Sequence, residues 1–255
     1  MPVNLKTIEL AQKLGCCVII PTYNNSQTLK FVIEDVHQYI SDIIVVNDGA
    51  TDSTKNILTD SSDVTVIDYL HNRGKGFAIR MGFKQAMKMG FRYAITLDSD
   101  GQHKGEDIRV FLDKIQQTPD SLIVGSRLLR QENMPNGSTF ANNFSNFWFR
   151  LQTGVNMPDT QSGFRLYPLH RMAGISFITN RYEAELEILV RSAWRGINIC
   201  NVPISVYYPP PENRISHFRP YRDFIRISVL NTFFTIIAFV YAYPVKLLSK
   251  LLKRS

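Results

Sequence analysis

Cysteine is scarce in this chain of 255 residues: there are three, two of them adjacent (Cys16 and Cys17) inside an apolar run. That excludes a disulfide framework and the paired ligand spacing of a zinc site, and it fits a reducing, cytosolic setting. The N-terminus, Met1-Pro2-Val3, shows no apolar stretch followed by a small-residue cleavage site, so no secretion signal is expected and the folded part is expected in the cytoplasm. Internal repeats and low-complexity segments are absent, and so is the G-x-x-x-x-G-K-[ST] phosphate loop. No recognised nucleic-acid module appears and the central loops are acidic, so no nucleic acid is expected as a partner. Acid is nearly absent from the last stretch. Between Arg214 and Arg254 the only carboxylate is Asp223, so the formal net charge of +7 is mostly a property of the tail.

What is present is an ordinary hydrophobic fraction of 44%, enough for one sizeable core. The natural parse is a domain over 1–213 and an appended tail over 214–255. In the first half, β-branched runs at Cys17 to Ile20, Ile43 to Val46, Val64 to Ile67, Ala94 to Leu97 and Leu122 to Val124 read as strands. Amphipathic segments separate them. In the first of these, Leu29, Val32, Ile33, Val36 and Ile40 share a face, with Asn25 or Ser26 as the expected N-cap. Such alternation predicts an α/β fold, a Rossmann-like, mostly parallel sheet flanked by helices. The second half is less regular, with helices expected over about Ser138 to Leu151 and Glu183 to Trp194 and a turn at Met157-Pro158-Asp159.

In parallel sheets ligands sit beyond the carboxyl ends of the strands. Those ends here are polar: Pro21-Thr22-Tyr23-Asn24-Asn25, Asn47-Asp48-Gly49, and Asp98-Ser99-Asp100-Gly101-Gln102. Asp98 and Asp100, two residues apart after a buried strand, can both reach one cation, and hard oxygen ligands select Mg²⁺ or Mn²⁺. Gln102 and His103 could add a ligand or a supporting contact. Read alone, the same stretch also fits a solvated acidic turn capping the next helix. Asp48 would accept from a nucleobase N–H or a ribose hydroxyl, although Asn47-Asp48-Gly49 is equally a good turn. Tyr23 would face a base or join the core. His71-Asn72-Arg73-Gly74-Lys75-Gly76 is a glycine-flanked basic loop opening a helix, suited to an anion.

Together, Val18-Ile-Ile-Pro-Thr-Tyr-Asn24, Val45-Val-Asn-Asp-Gly49 with Thr51-Asp-Ser53, Arg73-Gly-Lys-Gly76, Leu97-Asp-Ser-Asp-Gly-Gln-His103 and Gly125-Ser-Arg127 closely resemble family-two glycosyltransferases of the GT-A fold, over roughly residues 15 to 210. Asp159-Thr-Gln-Ser-Gly-Phe-Arg165 and Tyr182-Glu-Ala-Glu-Leu-Glu187 resemble the branch that makes dolichyl- or polyprenyl-phosphate sugars, such as dolichyl-phosphate mannose synthases. The resemblance implies an inverting, non-processive transfer from a nucleoside-diphosphate sugar, GDP-mannose or a UDP-hexose, to a lipid phosphate acceptor. It implies a donor site at Pro21, Tyr23, Asn25, Asp48, Lys75, Asp98 and Ser99, and metal ligands Asp98, Asp100 and Gln102. It also implies Arg127 on a phosphate, with Asp159, Gln161 and Arg165 bordering the acceptor. Relatives of this branch usually carry a second arginine where this chain reads Asn136-Gly-Ser-Thr139, and the Gln-x-x-Arg-Trp motif of processive synthases is absent.

The expected reaction is an in-line displacement at the anomeric carbon, with Asp98, Asp100, Arg127 and Asp159 as the catalytic set. A lipid phosphate needs no general base; a hydroxyl of a glycan or glycolipid would need one, and Asp159 is the first candidate. A catalytically silent nucleotide-sugar-binding subunit and a sugar-phosphate nucleotidyltransferase are the competing readings. The intact aspartate pair opposes the first, and the lack of a glycine-rich basic signature before Pro21 opposes the second. In the tail, Val229 to Val245 is an apolar run of 17 residues interrupted by Asn231, Thr232 and Thr235, among basic residues including Arg219, Arg222, Arg226, Lys246, Lys250, Lys253 and Arg254. An interfacial or re-entrant helix is expected rather than a full span, at the cytoplasmic face of the inner membrane. The same run also fits a packing or oligomerisation helix, which keeps a homo-oligomer open.

Overall fold

The structure, a computed structural model, describes residues 4–127, 138–208, 220–245 and 247. The sheet has seven strands: β1 (Cys16–Thr22), β2 (Ile43–Asn47), β3 (Thr65–Asp68), β4 (Tyr93–Thr96), β5 (Leu122–Arg127), β6 (Arg165–Pro168) and β7 (Ile199–Ile204), in the order β3-β2-β1-β4-β6-β5-β7. Only β6 runs against its neighbours, β4 and β5; the other pairings are parallel. The five strands expected from the first half are all present; four keep within two residues of their expected bounds, and β5 runs three residues past Val124, to Arg127.

Both faces of the sheet are covered, which is why strands β1, β2 and β4 are buried at every position. Alternation along β1 divides the core. Cys16, Val18 and Ile20 pack toward α1 (Leu5–Leu14), α2 (Leu29–His37) and α5 (Ile108–Gln117), while Cys17 and Ile19 pack toward α4 (Lys75–Lys88), α6 (Ser138–Thr153) and α8 (Glu183–Trp194). Short helices α3 (Thr54–Thr59) and α7 (Leu169–Met172) complete the layers.

Helix α1, absent from the sequence expectation, starts at Asn4, whose side chain accepts from the Thr7 amide, and stops at left-handed Gly15. The expected cap of α2 is corrected: Thr28 holds the N-cap position, and the Asn25 amide group reaches across to the Ser99 hydroxyl at 2.6 Å instead. Helices α6 and α8 fall where the pattern places them.

The described part of the tail is helical. Helix α9 (Pro220–Ile237) continues as a π-helical turn, Ala238–Ala242, so that Arg222–Val245 is 24 residues long and apolar enough to cross a membrane by length and composition. It lies on the domain. Asp223, Leu230, Asn231, Phe234 and Ala238, spaced for one helix face, are buried. Inside that contact Gln152 of α6 donates to the Asn231 carbonyl and side chain at 3.1 and 3.0 Å, and Tyr243 donates to the Leu151 carbonyl at 2.8 Å. Arg219, Lys246, Lys250, Lys253 and Arg254 lie outside the described residues, as does Asn136; Ser138 and Thr139 open α6.

Candidate active site

Polar loops after β1, β2 and β4 meet at one end of the sheet and enclose a cleft of about 660 Å³. They lock one another. Asn24, at a positive φ of 53°, accepts from the Thr51 amide at 2.7 Å; Asp52 accepts from the Ser26 and Thr54 amides at 3.0 Å; the Thr28 hydroxyl donates to the Ser99 carbonyl at 2.6 Å. The backbone at Gly49 turns through φ +69° so close to the 71–72 segment that a Cβ there would lie 2.5 Å from the His71 carbonyl carbon. The geometry of the Asn47-Asp48-Gly49 turn thus brings the basic loop against β2.

Asp48 lines the cleft but is already engaged. Its carboxylate accepts from the Arg73 amide at 2.7 Å, the Gly74 amide at 2.8 Å and the Asn72 side chain at 3.0 Å. Burial raises its pKa and these amides pull it back. Its first task here is to hold the basic loop. On the far wall, segment 178–182 crosses the start of α4: Asn180 accepts from the Phe77 amide at 3.0 Å, Arg80 donates to Thr179 and Asn180, and Glu187 gathers the Ile178 and Thr179 amides.

Asp98 and Asp100 stand at the floor. Lys75 Nζ lies 2.7 and 3.0 Å from the two Asp98 oxygens and 3.1 Å from Glu185 Oε2. Burial opposes the Asp98 charge, but Lys75 holds its carboxyl below the usual range. Among the described residues Asp100 has no such ion pair: burial, then the Asp98 charge, push it up to about 6, against a hydrogen bond from the Gln102 amide at 3.0 Å. His103 is buried and pushed down to about 4 by that burial, so its ring is neutral near pH 7.

The residues 17–169 of this chain match the family described as glycosyl transferase family 2. The chain belongs to that family. Among its relatives is the UDP-N-acetylglucosamine–dolichyl-phosphate N-acetylglucosaminyltransferase of Methanococcus voltae, 30% identical, the match covering 75% of this chain and 85% of the relative. Another is the polyprenol monophosphomannose synthase of Mycolicibacterium smegmatis, 28% identical over 74% of this chain and 76% of the relative. The fold is that of glucosyl-3-phosphoglycerate synthase from Mycobacterium tuberculosis, solved in complex with Mn²⁺, UDP and glucosyl-3-phosphoglycerate: TM-score 0.64 at 16% identity, covering 91% of this chain and 82% of that one. It is a GT-A-like α/β fold, and the chain is a glycosyltransferase.

Within the glycosyltransferase cleft the structure gathers Pro21, Tyr23, Asn25, Asp48, Lys75, Asp98, Ser99, Asp100 and Gln102. The residues fit a divalent cation. Two adjoining carboxylates, one of them ion-paired with no cation among the described residues and raised in pKa, are what a hard ion relieves, and Gln102, which also lines the cleft, would add a neutral oxygen. Among the described residues no group of three or more His, Cys, Asp or Glu could hold a metal; a cation held by two carboxylates and a carboxamide would keep further coordination positions, as Mg²⁺ sites commonly do.

Arg127, Asp159, Gln161 and Arg165 stand apart from the cleft lining. Asp159 is fully buried and accepts five N–H donors: Arg127 Nε at 2.6 Å, Arg127 Nη2 at 3.0 Å, and the amides of Arg127, Gln161 and Ser162 at 3.2, 2.9 and 3.2 Å. Arg165, also fully buried, donates to the carbonyls of Ser162, Glu185 and Thr160 at 2.6 to 2.9 Å. It borders no open surface and instead fixes the turn that carries Asp159. Gln161 is exposed and donates to the Ala141 carbonyl. Two charged lining residues were given no role by the sequence reading, Arg181 and Asp223. Asp223 had a signal: it is the single acid in a basic tail.

Proposed function

We propose that this glycosyltransferase moves a sugar from a nucleoside-diphosphate sugar, GDP-mannose or a UDP-hexose, to a polyprenyl or dolichyl phosphate at a membrane surface, in one inverting, non-processive step. Helix α9 carries the reading. Its Asp223 lines the donor cleft, while its outer side exposes Ile225, Val229, Phe233 and Ile236, and the π-helical turn that continues it exposes Val240. One helix thus carries both a residue of the cleft wall and an apolar outer face, and its exposed Arg222 and Arg226 suit an anionic surface. The names of the relatives, a dolichyl-phosphate N-acetylglucosaminyltransferase and a polyprenol monophosphomannose synthase, support the same acceptor class.

In this reaction an acceptor phosphate oxygen attacks the anomeric carbon while the bond from that carbon to the donor's diphosphate oxygen breaks, and the nucleoside diphosphate departs with inversion. The acceptor is already anionic, so no proton has to be removed. Asp159, the expected base for a hydroxyl acceptor, is saturated with donors and orients Arg127 instead; Arg127 then meets the acceptor phosphate, beside Gln161. Arg165 acts through the 160–162 turn. Pro21, Tyr23, Asn25, Asp48 and Ser99 wall the nucleoside, and Lys75 sets a cation by the diphosphate. Asp98, Asp100 and Gln102 would hold Mg²⁺ or Mn²⁺, which when bound stabilises negative charge on the leaving diphosphate. Incubation with a panel of GDP- and UDP-sugars, Mn²⁺ and a membrane lipid extract, followed by mass analysis of the lipid fraction, is expected to yield a glycosylated lipid phosphate. Products confined to a water-soluble glycan pool would overturn the reading.

A further inference from the structure

The Lys75 ammonium already touches two carboxylates from different elements, Asp98 after β4 and Glu185 in α8, within hydrogen-bond distance of both. Lys75 and Glu185 side chains are only 17% and 10% exposed, so neither charge is left to water. Gly163 keeps the junction open: a Cβ there would sit 2.6 Å from Asp98 Oδ2 and 2.9 Å from Lys75 Nζ. The charges also count in a telling way. Asp98, Asp100 and Glu185 carry three negative charges, Lys75 one positive, which leaves two negative charges, the complement of one divalent cation.

We propose that Glu185 is a positioning residue that gives Lys75 a second berth, so that Lys75 neutralises Asp98 in the metal-free protein and withdraws onto Glu185 when a divalent cation takes Asp98 and Asp100. The inference rests on the metal reading above and adds what the chain does to make room for the ion. An ammonium and a divalent cation compete for the same Asp98 oxygens. Among the described residues the ammonium is ion-paired with Asp98 and Glu185; without Glu185 it keeps Asp98, because leaving it buried and unpaired is costly, and so it opposes the metal. With Glu185 the exchange needs only a small movement, because Nζ begins in contact with both partners. After it the cluster is two neutral units, an ion pair and a metal with two carboxylates.

The test is a double-mutant cycle read by Mn²⁺ binding rather than by turnover. Full-length protein is titrated with Mn²⁺, with and without GDP or UDP, and bound ion is followed by loss of the free-Mn²⁺ electron paramagnetic resonance signal; thermal melts confirm folding. Glu185→Gln is expected to weaken Mn²⁺ binding about tenfold or more, the scale of losses when a group supporting a metal ligand is removed. Glu185→Asp is expected to restore much of it. In a Lys75→Met background, Glu185→Gln is expected to have less than about a twofold effect, because no ammonium needs a berth. Equal effects in both backgrounds would mean simple electrostatics and overturn the berth, as would no effect of Glu185→Gln in wild type. Failure of the wild-type protein to bind Mn²⁺ at all would instead sink the metal reading beneath it.

Discussion

Asp98 and Asp100 lie two residues apart yet face different surroundings, and the difference defines what each does. Lys75 stabilises the Asp98 charge, whereas Asp100 is buried beside a like charge. Converting both to Asn removes the anionic grip on the ion while keeping side-chain size. Transfer is expected to fall about a thousandfold, roughly 4 kcal/mol of lost charge stabilisation, in protein with an unchanged melting profile; undiminished radiolabelled sugar transfer by the folded variant would refute the chemistry. Asp159 and Arg165 invite a second contrast. With five N–H donors on its carboxylate, Asp159 serves Arg127, so Asp159→Asn should raise KM for the lipid phosphate more than it lowers kcat, whereas loss of an obligatory base would depress kcat by about 10² to 10⁴. Arg165→Met strands three buried carbonyls and is expected to cost about 3 kcal/mol or more in urea unfolding, with KM for the acceptor unchanged in the folded fraction. A rise in that KM without loss of stability would return Arg165 to the acceptor site.

At the scale of elements, strands β1, β2 and β4 were legible because strands buried on both faces read as continuous β-branched runs, and their polar ends mark the cleft. Helix α1 was not, since Lys6, Glu9, Gln12 and Lys13 leave it only a thin apolar stripe. Strand β6 hides for another reason: Arg165 opens it and Pro168 closes it, and nothing local reveals that three carbonyls, one from a distant helix, neutralise the cost of burying that arginine. In α9 the sequence shows Asn231 as an interruption of an apolar run, but its purpose depends on Gln152, 79 residues earlier. This pair makes a prediction for the docking of α9. Asn231→Leu takes the side-chain acceptor from the Gln152 amide while leaving it the backbone carbonyl at 231, and is expected to cost about 0.5–1.5 kcal/mol, while Gln152→Leu with Asn231→Leu recovers most of it. The readout is the midpoint of thermal unfolding together with protease sensitivity of residues 220–245; equal losses in the single and double variants would show that α9 is not seated on α6 in this way.

For the whole molecule the question is how a cleft built by the N-terminal half of the sheet would reach the proposed lipid acceptor. The apolar tail is not a detachable anchor, because Phe234 packs against Trp194 and Asp223 enters the cleft wall, so removing residues from Pro220 onward would damage the domain along with any membrane affinity. Charges placed on the outer face of α9 separate the two effects. Val229 and Val240 are 64% and 74% exposed and make no part of the inner contact, so Val229→Glu with Val240→Glu should leave folding and nucleotide binding intact. If that face lies in the headgroup region, the wild-type protein floats with vesicles of anionic phospholipid. The double variant loses the burial of two valines, about 3 kcal/mol, which corresponds to a fall in vesicle partitioning of about a hundredfold. Transfer to a lipid phosphate in vesicles should fall with it, while transfer to a short-chain, water-soluble polyprenyl phosphate should not. A variant that floats as well as wild type would mean that the exposed row meets something other than a bilayer, and the lipid acceptor would then lose the observation that supports it most.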